Sequence, residues 1–181
     1  MPTVNDANGE PLLVNSEGRA LTYAITETEP KHVNEDHGKC FSVLVDVTTA
    51  TTDDDFFYLK NNETEKLVIY RIEGWCDDAN QEIKILLGAT DAGTADGDDL
   101  TPVALNAGSG EVPAIDCTQD ATDLAITGGS AVDLLKFSTV ALTKDKWDYP
   151  SGIILPKNYR LHMEAALAGL INLNIFFYFH D

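Results

Sequence analysis

Residues 171–179 carry a two-residue repeat that a β-strand satisfies and a helix does not. The odd positions are Ile171, Leu173, Ile175, Phe177 and Phe179, with Asn172 and Asn174 between them. Successive side chains of a strand point to opposite faces, so this stretch has one apolar face and one largely polar one. On a helix the same residues would scatter around the axis. Residues 159–165 repeat the pattern: Tyr159, Leu161, Met163 and Ala165 alternate with Arg160, His162 and Glu164. Ala168 and Gly169 separate the two stretches, which predicts a long C-terminal hairpin. The run Ile175-Phe176-Phe177-Tyr178-Phe179 is uncharged and lacks proline. Bare at a sheet edge it would template aggregation, so it is expected inside a sheet or under another subunit.

The rest of the chain follows the same logic. Phe41, Val43, Val45 and Val47 alternate with Ser42 and Asp46, a half-buried strand. Asp53-Asp54-Asp55 breaks the chain before Phe56-Phe57-Tyr58-Leu59, and Asn61-Asn62-Glu63 supplies a turn. Residues 67–72 are apolar on both faces, as in a central strand. Residues 82–89 alternate again, and Asp77-Asp78-Ala79-Asn80 between the two stretches predicts a second hairpin. Shorter strand signals lie at residues 103–105, 124–126 and 134–140, interrupted by Gly108, Gly110, Gly128 and Gly129. No sustained helical stripe occurs. The expectation is an all-β fold, an antiparallel jelly-roll-like β-sandwich over residues 40–181. Residues 1–39, punctuated by Asn, Gly and Pro, are expected as an extended N-terminal arm or short strands.

Charge narrows the function. Thirty acids face twelve Lys and Arg, a formal net charge of −18 on 181 residues. That balance excludes a nucleic-acid binder, which needs clustered cations, and argues against an anionic membrane surface. No apolar run approaches the ~18 residues of a membrane span. Residues 1–10 show neither a cationic start nor an apolar core, which predicts no secretory leader. Cys40, Cys76 and Cys117 lack metal-ligand spacing and are expected as small buried hydrophobes.

Candidate chemistry is sparse. His32 and His37 flank Asn34, Glu35 and Asp36, but their spacing is wrong for one helix face, and a polar loop is the expected role. Asp91, Asp96, Asp98 and Asp99 share a Gly-rich loop; Gly93 and Ala95 occupy positions where a hand-type calcium loop needs acids, so a solvated loop is expected. Residues 53–55 are read the same way. Asn62-Glu63-Thr64 matches a glycosylation sequon and is expected only as a turn. Trp75 follows an apolar strand and is expected in the core; Trp147 is expected to be exposed or at an interface. No catalytic, cofactor-binding or metal-ligating residue is assigned.

Two stretches and a link between them carry a resemblance. They are Gly152-Ile153-Ile154-Leu155-Pro156-Lys157-Asn158-Tyr159-Arg160-Leu161 with the terminal Phe177-Tyr178-Phe179, and Phe57-Tyr58-Leu59-Lys60-Asn61-Asn62 leading into Lys66-Leu67-Val68-Ile69-Tyr70-Arg71-Ile72. Leu100-Thr101-Pro102-Val103-Ala104-Leu105-Asn106 lies between them, and His37-Gly38-Lys39 precedes the first core strand. Across roughly residues 37–181 this order resembles small β-sandwich structural proteins of tailed bacteriophage virions, the jelly-roll decoration or cement type. The resemblance implies a non-enzymatic capsid decoration protein, without cofactor, assembled into the virion in the host cytoplasm. Its implied partners are copies of itself, as a homotrimer, and a major capsid protein, with no nucleic acid or membrane. The alternative is a carbohydrate-binding or receptor-binding appendage using Trp147 and Tyr149, with calcium at Asp96, Asp98 and Asp99. A jelly-roll enzyme would need inward-facing His and carboxylate ligands, and the chain has only four His, including the penultimate His180.

Overall fold

The computed structural model describes residues 28–88, 95–126 and 131–180. A short helix α1 (Glu29–His32) runs into a π-helical turn (Val33–His37). The strands that follow are β1 (Cys40–Thr49), β2 (Asp54–Asn61), β3 (Lys66–Cys76), β4 (Glu82–Gly88), β5 (Asp98–Asp99), β6 (Val103–Ala104), β7 (Ile115–Gln119), β8 (Ala131–Ser138), β9 (Asp145–Leu155), β10 (Arg160–Ala165) and β11 (Gly169–His180). One sheet has the order β6-β1-β11-β3-β9 and the other β5-β7-β2-β10-β4-β8. Every pairing is antiparallel. With the short β5, β6 and β7 set aside, the interlocked sets β1-β11-β3-β9 and β2-β10-β4-β8 are the eight strands of a jelly roll. The all-β sandwich read from the sequence is the observed architecture.

The core lies between the sheets and takes the inward residue of each alternation. Val43, Val45 and Val47 of β1 enter it, as do Leu161 and Met163 of β10 and Ile171, Leu173, Ile175, Phe177 and Phe179 of β11. Phe177 stacks on Phe41 at a centroid separation of 5.6 Å and meets Phe179 edge-on at 6.0 Å. β11 is flanked by β1 and β3, so the uncharged aromatic run is inside a sheet, as its sequence requires.

Both expected hairpins are instead crossings. β10 pairs with β2 and β4, whereas β11 pairs with β1 and β3 in the facing sheet. β3 and β4 are divided in the same way. Alternation reports only that a strand buries one face; strands in facing sheets show the same pattern as hairpin partners. Polar side chains tie the crossing before β11. Gln81 Nε2 donates to the Leu167 carbonyl at 2.7 Å, Thr49 Oγ1 accepts from Gly169 N at 3.1 Å, and Asp77 Oδ1 accepts from Leu170 N at 2.8 Å.

Other expectations are adjusted locally. Residues 32–37 are a helical turn rather than a loop. Val33 from this turn covers Val68, Tyr178 and Cys40 on the outer face of the sheet, which is why β3 is apolar on both sides. Gly38 ends the turn at φ 64, and a Cβ there would lie 2.3 Å from Ser109 Cβ, so glycine is required. The break before β2 centres on Asp53 at φ 56, while buried Asp54 belongs to the strand and its carboxylate accepts from Thr51 N at 2.8 Å. β7 escapes sequence reading because Ile115-Asp116-Cys117-Thr118-Gln119 is short and carries only two apolar residues, Ile115 and Cys117, and residues 124–126 are not a strand. All three cysteines are buried free thiols. Of the expected arm, residues 1–27 lie outside the described residues, as do Asp91, Gly93, Gly128 and Gly129.

Phe177→Ala is expected to lower unfolding free energy by about 3–5 kcal/mol in urea, the cost of a cavity under a large core aromatic. Asn172→Val, on the opposite face, is expected to change it by well under half as much. Equal midpoints for Phe177→Ala and wild type would show the assigned face to be wrong.

Candidate functional site

One flank of the sandwich differs from the rest. β8 is the edge strand of the six-stranded sheet and β9 that of the five-stranded sheet. Phe137 of β8 and Trp147 of β9 pack across the open side at a centroid distance of 4.1 Å. In β9 the register passes from Ile69↔Ile153 to Arg71↔Asp148, so residues 149–152 bow outward. Pro150 has no N–H to donate there, and Gly152 takes φ 68 with Val68 only 2.3 Å from where a Cβ would stand. Beside this bulge runs an apolar groove of about 500 Å³ lined by Leu87, Leu135, Tyr149, Pro150, Ile153 and Ile154. Val132, Leu134, Val140, Leu142 and Ile154 are exposed along the same stretch, Val132 at 70 % and Leu142 at 74 %.

This stretch is also poor in acid. Residues 131–157 contain Lys136, Lys144, Lys146 and Lys157 against Asp133, Asp145 and Asp148, with no glutamate. The chain's net charge of −18 is therefore carried entirely outside it. No motif marks the flank; the signal available in the sequence is this local reversal of charge beside exposed apolar residues.

A second concavity of about 670 Å³ lies on the outer face of the five-stranded sheet, between α1 and the β9 bulge. Tyr70, Tyr149 and Tyr178 line it with Arg71, whose Nε donates to Asp148 Oδ1 at 2.7 Å. Burial pushes the Tyr149 phenol up to about 12.

The residues singled out in the sequence do not converge. His32 and His37 meet edge-on at 5.6 Å, but His32 Nδ1 faces Asp36 at 2.9 Å and His180 Nδ1 faces Glu29 at 2.9 Å. Asp98 and Asp99 form β5 beside β7, and Asp96 accepts from Ala125 N at 2.7 Å. Among the described residues, no group of three or more His, Cys, Asp or Glu side chains is placed to hold a metal ion. Asn62 donates to Asp116 at 2.9 Å within its turn. The tryptophans exchange their expected roles. Trp147 packs against the core, and Trp75 sits half-buried outside it, because Ile72, Gly74 and Cys76 are the inward residues of β3.

The nominally polar face of β10 is buried as well. Arg160 and His162 lie on the outer face of the six-stranded sheet, and His162 Nε2 stands 3.7 Å from Asp55 Oδ1. That separation exceeds a hydrogen bond, and desolvation dominates both groups. Burial, reinforced by Arg160, lowers the His162 imidazole to about 4. Burial, then the Asp123 and Glu164 carboxylates, raises Asp55 to about 6.

No family model matches this chain, and no curated protein matches it.

The buried pair makes a pH prediction. The unfolded imidazole binds its proton near 6.5 and the folded one only near 4, so His162 removes stability as pH falls through that window. Folded Asp55 takes up its proton near 6 and the unfolded carboxyl near 3.8, so Asp55 adds stability as pH falls over nearly the same range. The two offset each other. Asp55→Asn is expected to lose about 2 kcal/mol relative to wild type between pH 7 and pH 4.5 in urea unfolding. A wild-type-to-variant difference that is flat with pH would contradict the assignment.

Proposed function

We propose that this chain is a non-enzymatic structural protein of a tailed-phage virion, a capsid decoration or cement protein. In this reading it binds and stabilises an assembled head as a homotrimer seated on the major capsid protein. The observation that carries the reading is the segregation of charge on the jelly roll. An acidic body repels free copies of itself and is drawn to a basic surface, while the acid-poor flank is left for apolar contact. Jelly rolls serve in viral capsid and lectin domains alike, so the fold admits the role without fixing it.

The tyrosine-lined concavity favours a second reading, a glycan-binding appendage of the head or tail. Trp147 is packed away from that face, so Tyr149 rather than Trp147 would carry such binding, and saturation transfer to a bound oligosaccharide that is lost in Tyr149→Ala would support it.

The first reading is tested by mixing purified protein with heads stripped of it, from the phage that encodes it, and pelleting the particles. Saturable co-sedimentation is expected at about 0.05 M salt, weakening toward about 0.5 M as the attraction is screened. Protein left in the supernatant at low salt would overturn the reading.

A further inference from the structure

We infer that the β8–β9 flank is the surface through which copies of this chain associate, the flanks of neighbouring copies packing together about a common axis. The inference rests on the homo-oligomeric part of the reading above and supplies the contact that it lacks.

Three independent features meet on this flank. The first is backbone. Among the described residues β8 pairs only with β4, and β9 only with β3, so each presents its other side as an edge of its sheet. Exposed edges of this kind recruit another strand unless they are blocked. β9 is blunted by its Pro150 bulge; β8 contains no proline over its eight residues. Its register passes from Ile85↔Leu135 to Leu86↔Asp133, which leaves Leu134 as a bulged apolar residue, 43 % exposed. The second feature is apolar surface: five of the large hydrophobic side chains exposed on the described residues lie between Val132 and Ile154, next to the groove at Leu135 and Ile153.

The third feature, charge, selects the occupant. Lys136 is 3.0 Å from Glu82, Lys144 is 3.0 Å from Glu73, and Lys146 is 2.8 Å from Asp148, so three of the four lysines of the flank are neutralised locally. A basic partner is drawn to the acidic body, not to this neutral strip. A polyanion is repelled by the body before it reaches the strip. A second copy is different: its body carries the chain's net negative charge and is repelled by the body of its neighbour, and approaching with the flank it meets apolar side chains and both signs of charge. The opposite sides of the two sheets end in the two-residue strands β6 and β5, whereas β8 and β9 are long edge strands that lie together on this flank, so one symmetric contact covers both.

Light scattering on the full chain tests this in the absence of any particle, so its failure is distinct from failure to bind heads. At about 0.5 M salt, where the repulsion of the acidic bodies is screened, the mass is expected to be an integral multiple of 19.7 kDa, with a smaller associated fraction at about 0.05 M. Val132→Glu with Leu134→Glu, both at exposed positions, is expected to return the mass to 19.7 kDa with an unchanged far-ultraviolet dichroism spectrum. Val112→Glu, at a still more exposed position off the flank, is expected to keep the wild-type mass. Amide exchange in residues 132–136 is expected to slow as protein concentration rises. A mass of 19.7 kDa at every salt and concentration overturns the inference, and so does an assembly that survives the double substitution.

Discussion

The structure depends on the inward face of β11. Its five alternating residues from Ile171 to Phe179 are all buried in the core, and the strand is held by β1 on one side and β3 on the other. Each such side chain contributes about 1.5–3 kcal/mol by leaving water. A slip of one residue would carry Asn172 and Asn174 into that core and Phe177 out of it, so the register is fixed by burial rather than by a turn. Among the described residues the opposite face is protected at the aromatic end, where Tyr178 joins Val33, Cys40 and Val68 beneath the helical turn. That cover makes a strand of consecutive aromatics safe, and it gives residues 29–37 a structural role before any functional one.

Much of this was legible because burial writes directly onto alternation. Residues 41–47, 159–165 and 171–179 declare their inward faces without any knowledge of their neighbours. Which sheet each strand joins is not written there. Strands β10 and β11 bury equivalent faces from opposite sides of one core, and no local residue distinguishes that from a hairpin. The ties that decide the matter, Gln81 to Leu167 and Asp77 to Leu170, join positions about ninety residues apart in the chain. The polar residues of β10 mislead for a related reason: Arg160 and His162 are buried on the outer face, where sequence alone assigns charged and imidazole groups to water. The flank was legible only in part. Trp147 drew attention, yet it closes the core against Phe137, and the features that set the flank apart are spread over two strands and a loop.

The acidic composition has a consequence for packing between molecules rather than within one. Several described cations are already committed to acids: Lys84 to Glu164, Lys39 to Glu65, Arg71 to Asp148. Partly exposed pairs of this kind add little stability, about 0–1 kcal/mol each, but they leave the remaining acids uncompensated. The resulting field acts over roughly a Debye length, about 8–10 Å at moderate salt. It opposes random contact between chains at the edges of β8 and β9.

That repulsion and the open edges therefore belong to one design. An edge strand is hazardous when any orientation of approach can reach it. Here the acidic body opposes approach by most of the surface, and the opposition is weakest at the acid-poor flank. The penalty weakens with salt while the apolar gain does not, so screening favours contact through the apolar flank. A contact between flanks, as proposed above, would cover the edges of β8 and β9 together and leave a mainly acidic surface outward. The acids left outside would then oppose further growth, which favours a closed assembly over a fibre.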